Sequence, residues 1–378
     1  MPDAAEPVSV VMPVRNAMPF LDAAIESILG QTYRDFELII GDDGSTDGSS
    51  VCLADWAGRD RRIRLLRNDG PGLGPAGSAN WVARAARHRL IARMDADDVS
   101  MPDRLRVQVE TFRANPDAAM VGGLSDFLDA RGRRVGGRDR SIFRNARCVF
   151  PCSHGSLMFR REVFDRVGGY RQACDYWEDV DLFIRLEREG RVLILPETLY
   201  RYRFSPTSAR QVSDEIMVSR ALDLATHCLA AHAEGRDYEP LLQARMQAPP
   251  AGPILHSALV PLALEKLWRG QARTIFSSWA WRNAARTPRP RLRTRIFFAW
   301  LWLNPTSLRT AFRLKARVAD WRARKLVPDG SVHVWRNGAL RRSRCVAPMP
   351  THGAAAEPLS AAGGTLAAAG GAPCHEPA

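Results

Sequence analysis

The chain has 378 residues, 46% hydrophobic and 25% charged, which suits a globular catalytic domain with a smaller second part and excludes a fibrous or wholly disordered chain. The formal net charge is +13, but residues 281–345 hold seventeen Lys or Arg against two acids, Asp320 and Asp329, so the basicity belongs to a C-terminal segment. Seven cysteines, an odd number without a Cys-x-x-Cys pair, exclude a disulfide framework and fit a reducing cytoplasm.

The N-terminal stretch has no basic n-region, and the apolar run at 8–12 is too short for a signal core, so no signal peptide is expected. No run approaches the roughly 20 apolar residues that cross a bilayer. Residues 8–13 are β-branched and end at Pro13, which predicts a buried strand. Phe20, Leu21, Ile25, Ile28 and Leu29 recur at helical spacing before Gly30, which predicts a helix over 19–30. A second strand is expected at 36–40, followed by the loop Asp42-Asp43-Gly44-Ser45-Thr46-Asp47 at a helix start. A third strand at 63–66 leads through a glycine-rich loop to a helix over 77–88. A fourth, at 90–94, runs straight into Asp95-Ala96-Asp97-Asp98. From about 118 the pattern is mixed, with strands expected at 155–160 and 192–195 and a helix over 179–189. From about 212 the chain reads as helical, and the Ala-, Gly- and Pro-rich tail as disordered.

Strands alternating with helices predict an α/β fold, a mostly parallel sheet with helices on both faces. Ligands bind such sheets beyond the carboxyl ends of the strands. The polar clusters follow strands one to four, so they are expected to meet at one edge.

Three acidic clusters each have a chemical and a plain reading. Asp95, Asp97 and Asp98 repel one another unless a cation sits among them, and hard oxygen ligands suit Mg²⁺ or Mn²⁺. The plain alternative is a solvated turn before a helix cap. Asp42 to Asp47 either caps a helix or contacts a base or ribose. Glu178-Asp179 either complements a helix dipole or supplies Asp179 as a general base. Gly72-Leu73-Gly74-Pro75-Ala76-Gly77 matches the dinucleotide fingerprint in form. It follows the third strand rather than the first, and is read instead as a loop that lets a phosphate or ribose approach the backbone. Cys148, Cys152, His154 and Cys174 fit no common zinc spacing.

The order of these motifs carries more than any one of them. Pro13-Val14-Arg15-Asn16, Gln31 to Glu37, Asp42 to Asp47, Asn68 to Gly74, Ala92 to Asp98 and Glu178 to Leu182 occur together in sequence. This set resembles glycosyltransferase family 2, the inverting, nucleotide-sugar-dependent enzymes with the GT-A fold, over about 7–205. The resemblance implies a catalytic domain at 7–205; by their own pattern the residues beyond it are expected to form a helical basic region at 206–345 and a disordered tail at 346–378. It implies that Pro13 and Arg15 line the nucleotide pocket, that Asp43 contacts the base, and that the Gly72 to Gly74 loop borders the donor. Asp95 would bind the ribose or the metal, Asp97 the Mg²⁺ or Mn²⁺ on the diphosphate, and Asp179 would deprotonate the acceptor hydroxyl. His154-Gly155-Ser156 resembles the strand beneath the acceptor. Many relatives carry a basic or polar residue in the helix after the glycine loop, where this chain has Pro75-Ala76-Gly77-Ser78-Ala79-Asn80. A nucleotide-sugar-binding module without catalysis is the alternative, against which all three acidic stations stand.

Arg309, Arg313, Arg317 and Arg324 share one helical face beside Leu308, Phe312, Leu314, Val318 and Trp321, with Trp300 and Trp302 upstream. Such a helix suits the surface of an anionic membrane, hence a peripheral protein with a lipid-linked glycan acceptor. Packing on the catalytic domain is the alternative. No nucleic-acid module is present in the sequence.

Overall fold

The computed structural model describes residues 6–129, 131–136, 152–203, 215–247, 333–336 and 339–342. Strands β1 (Val8–Val14), β2 (Phe36–Asp42), β3 (Ile63–Arg67) and β4 (Leu90–Arg93) lie side by side in the order β3-β2-β1-β4, all parallel. Helices α1 (Leu21–Leu29), α2 (Ser49–Arg59) and α3 (Gly74–Arg84) connect them.

Successive side chains on a strand point to opposite faces, and here each face has its own core. Val10, Met12, Leu38, Ile40 and Ala92 meet Leu21 and Ile25 of α1, Leu53 of α2, and Leu105 and Phe112 of α4 (Arg104–Ala114). Val11, Ile39 and Ile91 face Ala79 and Val82 of α3 and Leu182, Phe183 and Leu186 of α6 (Glu178–Glu189). Full burial of each large aliphatic contributes about 1.5–3 kcal/mol, so both faces are strongly specified.

The second half extends this sheet. Beyond β4 come β8 (Met158–Arg160), antiparallel to it, then β6 (Ala118–Leu128) and the long β9 (Arg191–Arg203), parallel to β6. The short β5 (Val99–Ser100) pairs with β9, and β7 (Arg134–Gly136) with β6. Helix α5 (Arg161–Arg166) leads away from β8. Helices α7 (Glu215–Ala233) and α8 (Glu239–Gln247) add Ala225, Cys228, Leu229, Tyr238 and Leu242 to the α6 core.

Four expectations change. The helix expected over 77–88 starts at Gly74, because Pro75 is tolerated in the first turn. The strand expected at 155–160 forms only at Met158–Arg160, as β8; its first part is a 3₁₀ turn, His154–Ser156. The strand expected at 192–195 runs on to Arg203. Its register on β6 slips between Leu195 and Thr198, so Pro196 and Glu197 hide its continuation in the sequence. The helical reading from 212 holds for α7 and α8 and fails at β10 (His333–Arg336) and β11 (Ala339–Arg342), an antiparallel hairpin added to β9. In sequence Asn337-Gly338 separates those strands, a strong hairpin signal.

No helix among the described residues is long and apolar enough to cross a membrane. The basic stretch around 309–326 and the tail at 346–378 lie outside the described residues. Cys52, Cys152, Cys174 and Cys228 are buried free thiols.

Candidate active site

The carboxyl ends of β1, β2 and β4 open on one edge of the sheet. Pro13 lies opposite Gly41 in the β1–β2 register, and the Asp43 amide donates to the Val14 carbonyl (2.8 Å). The Asp43 carboxylate is 2% exposed, yet well supplied with donors. It accepts the Leu73 amide (2.9 and 3.1 Å), Asn68 Nδ2 (2.6 Å) and Ser78 Oγ (2.7 Å). Asp43 thus ties the glycine loop to the end of β2. Arg15 Nη1 stands 3.9 Å from Asp43 Oδ2, its side chain half exposed. A side chain at Gly72 would overlap the Arg15 guanidinium.

The other two aspartates of that loop take the plain reading. Asp42 accepts the Ser45 amide (3.0 Å) and the Ser50 hydroxyl. Asp47 accepts the Met18 amide (2.9 Å), the Ser49 amide (3.1 Å) and Ser49 Oγ (2.6 Å). Burial pushes the Asp47 carboxyl up, and these hydrogen bonds outweigh it and hold the group below its ordinary range.

The cluster after β4 is held by charges the sequence reading did not single out. Arg93 and Asp95 are two residues apart and share one face, so Arg93 Nε (3.0 Å) and Nη2 (2.8 Å) both reach Asp95 Oδ1. Burial raises the Asp95 carboxyl, but Arg93 and then His154 pull it below the ordinary value. The Asp95 amide donates to the hydroxyl of buried Tyr200 (3.1 Å). From β9, Arg203 donates its amide to Asp98 Oδ1 (2.7 Å) and its Nε to the Asp97 carbonyl (2.8 Å). Arg104, fully buried, donates to the carbonyls of Arg93 (2.7 Å) and Leu157 (3.0 Å); burial lowers its pKa to about 10.

Asp98 is the test of whether a cation fits. Burial, then the charges of Asp97 and Asp95, push its carboxyl well above the ordinary range. Its Oδ2 is buried without a well-formed hydrogen bond, and the nearby Tyr200 hydroxyl only partly offsets the shift. A nearby divalent cation would relieve that repulsion. Among the described residues no three His, Cys, Asp or Glu side chains already converge on one point. One or two carboxylates completed by substrate phosphates is the arrangement Mg²⁺ adopts, and half-buried Asp97 suits it.

Asp179 lies in the first turn of α6, 9% exposed, with Oδ1 on the Val180 amide (2.8 Å). Asp181, by contrast, is structural: Arg185 (2.9 and 2.5 Å) and the Tyr238 hydroxyl (2.7 Å) consume it. Tyr170 joins the acidic stations. Its hydroxyl bonds His154 Nε2 (2.8 Å). Burial raises its pKa; Arg93 opposes this, and Glu178, Asp95 and Asp179 reinforce it.

The 3₁₀ turn His154–Ser156 packs on Tyr200. A Cβ on Gly155 would overlap the Tyr200 hydroxyl, which is buried and already bonded to Asp95. Gly155→Ala is expected to cost about 1–3 kcal/mol as overpacking. Thermal denaturation should show Tm falling by roughly 3–10 °C; an unchanged Tm would show that Tyr200 is free to move.

Residues 9–168 match the model of the family described as Glycosyl transferase family 2. EpsE of Bacillus subtilis (strain 168), named as a glycosyltransferase, is 32% identical over 254 residues, 64% of this chain and 90% of that one. The chain belongs to glycosyltransferase family 2. The O-antigen biosynthesis glycosyltransferase WbnJ of Escherichia coli is 31% identical over 213 residues, 54% of this chain and 82% of that one. The UDP-Glc:alpha-D-GlcNAc-diphosphoundecaprenol beta-1,3-glucosyltransferase WfgD of Escherichia coli is 36% identical over 115 residues, 30% of this chain and 44% of that one. As a family 2 glycosyltransferase the protein is an enzyme, and its α/β architecture is the GT-A type the resemblance implied. The family match ends before α6, so Asp179 lies beyond it.

Proposed function

We propose that this enzyme moves a sugar from a nucleotide-sugar donor, a UDP-sugar in the first instance, to a glycan hydroxyl in cell-surface polysaccharide or glycolipid synthesis, with inversion. The observation that supports the reading is the buried Tyr170 hydroxyl, bonded to His154 (2.8 Å) and acted on by both Asp95 and Asp179. In this reading the carboxylates after β4 and at the start of α6 serve one site, although 84 positions separate them in sequence.

In this reading Pro13, Arg15, Asp43 and Gly72 border the nucleotide. Asp95, held by Arg93, would face the ribose, and Asp97 would hold Mg²⁺ or Mn²⁺, which when bound would supply charge neutralisation for the departing diphosphate. Asp179 takes the proton of the acceptor hydroxyl as its oxygen attacks the anomeric carbon from the face opposite the leaving group. The lipid-diphosphate acceptor in the name of WfgD supports a lipid-linked glycan as acceptor class.

A thermal-shift screen of nucleotide-sugars with Mn²⁺ tests the donor. Saturating the right donor at about 100 times Kd is expected to add roughly 2.7 kcal/mol of stability. Equal stabilisation by NADH, with none by any nucleotide-sugar, would revive the dinucleotide reading of the glycine loop.

A further inference from the structure

Helix α3 has no side-chain cap of its own at its N-terminus. Two distant carboxylates cover it instead. Asp43 takes the Leu73 amide, and Asp175 Oδ1 takes the Ala76 amide at 2.9 Å, across 99 residues of sequence. A Cβ on Gly74 would come to 3.0 Å from Asp175 Oδ2, so the second carboxylate lies against the donor loop itself. Asp175 is half-buried, and burial raises its carboxyl above the ordinary range. The amide end of α3 offers it compensation.

The chain then turns through Tyr176, whose φ is +73°. That left-handed conformation is an outlier for a bulky residue and persists only where the surroundings over-determine it. Both flanks are fixed. The Asp175 amide bonds the Gln172 carbonyl (3.1 Å), and the Trp177 amide bonds the Cys174 carbonyl (3.0 Å). Trp177 is 1% exposed in the α6 core. Helix α6 starts at the next residue, and Asp179 stands three positions beyond Tyr176. A strained corner therefore joins the donor loop to the base.

We infer that Asp175 is a positioning residue: it couples the Gly72–Ala76 donor loop to the segment that carries Asp179, so that nucleotide bound at the first orders the second. The inference rests on the donor-site reading above. Asn80 also ties α3 to the Tyr170 backbone (2.7 and 2.8 Å), but that contact lies a turn beyond the loop, whereas Asp175 holds the Ala76 amide at the loop itself. With the Asp175 link, the base is set most firmly when the donor is in place.

Hydrogen–deuterium exchange of the full chain, with UDP and Mn²⁺ or separately GDP and Mn²⁺ as probes, reads this directly. In the wild type the nucleotide is expected to slow exchange both at 72–78 and at 175–181. In Asp175→Ala it is expected to slow 72–78 only, with nucleotide affinity within about threefold of wild type. Asp175→Asn keeps an oxygen for the Ala76 amide and is expected to restore the coupled protection. Tyr176→Gly removes the strain and is expected to keep the fold while losing protection at 175–181. If Asp175→Ala exchanges everywhere as an unfolded chain, the asparagine and glycine variants decide. Protection at 72–78 alone in the wild type, or at both segments in folded Asp175→Ala, would overturn the coupling. If neither nucleotide protects 72–78, the donor-site reading itself fails and the coupling falls with it.

Discussion

Asp179→Asn is expected to lower sugar transfer by about 10²–10⁴-fold while nucleotide binding stays close to wild type. The amide has nearly the shape of the carboxylate and keeps an oxygen for the Val180 amide, so the first turn of α6 should survive. The amide cannot take a proton from an acceptor hydroxyl. Loss of transfer with a folded, nucleotide-binding protein would therefore isolate the chemical step. Single-turnover transfer with the donor found by thermal shift is the measurement. Transfer near the wild-type rate would remove Asp179 from the mechanism, and Glu178 would be examined next.

The second large effect concerns the cluster after β4. Asp97→Asn is expected to abolish the Mn²⁺ dependence of transfer, with a loss of roughly 10²–10³-fold, and EDTA should do the same to the wild type. The variant makes an opposite prediction for stability without metal. Asp95, Asp97 and Asp98 repel one another, and that repulsion helps push Asp98 up. Removing one charge should relieve it, so the metal-free variant is expected to gain about 1 kcal/mol, or some 2–4 °C in Tm. Mn²⁺ should then stabilise the wild type and not the variant. Full transfer by the wild type in EDTA, or equal stabilisation of both proteins by Mn²⁺, would remove Asp97 as a ligand.

The alternating half of the fold is legible because β1, β2 and β4 are largely buried on both faces and read as apolar runs, while each following loop is polar. The second half is less legible for physical reasons. Strand β6 contains Gly122, Gly123, Ser125 and Asp126; the glycines admit Cys152 and Leu199 closely and Asp126 pairs with Arg134 (2.8 Å), none of which strand propensity signals. Strand β9 is broken in sequence by Pro196-Glu197. The acidic stations stand out because like charges at strand ends are costly. Their supports do not: Arg93, Arg104, Tyr200 and Arg203 act through contacts that only the folded chain creates. Arg93 alone left a local signal, as the last residue of β4 and two positions before Asp95. The Asp42 to Asp47 loop shows the limit, since hydrogen bonds and not spacing separate Asp43 from its capping neighbours.

The β10–β11 hairpin has a consequence for how much of the chain a stable protein requires. Arg203, which clamps the Asp97 and Asp98 loop, ends a strand whose first half has β10 along its outer side, from Val192 to Ile194. A chain cut at 205 keeps every acidic station but leaves that row of amides and carbonyls unpaired. Bare strand edges recruit other strands. The trimmed enzyme would carry an adhesive seam on the same strand that holds the Asp97–Asp98 loop in place, so the sheet edge and the loop are secured at opposite ends of one element.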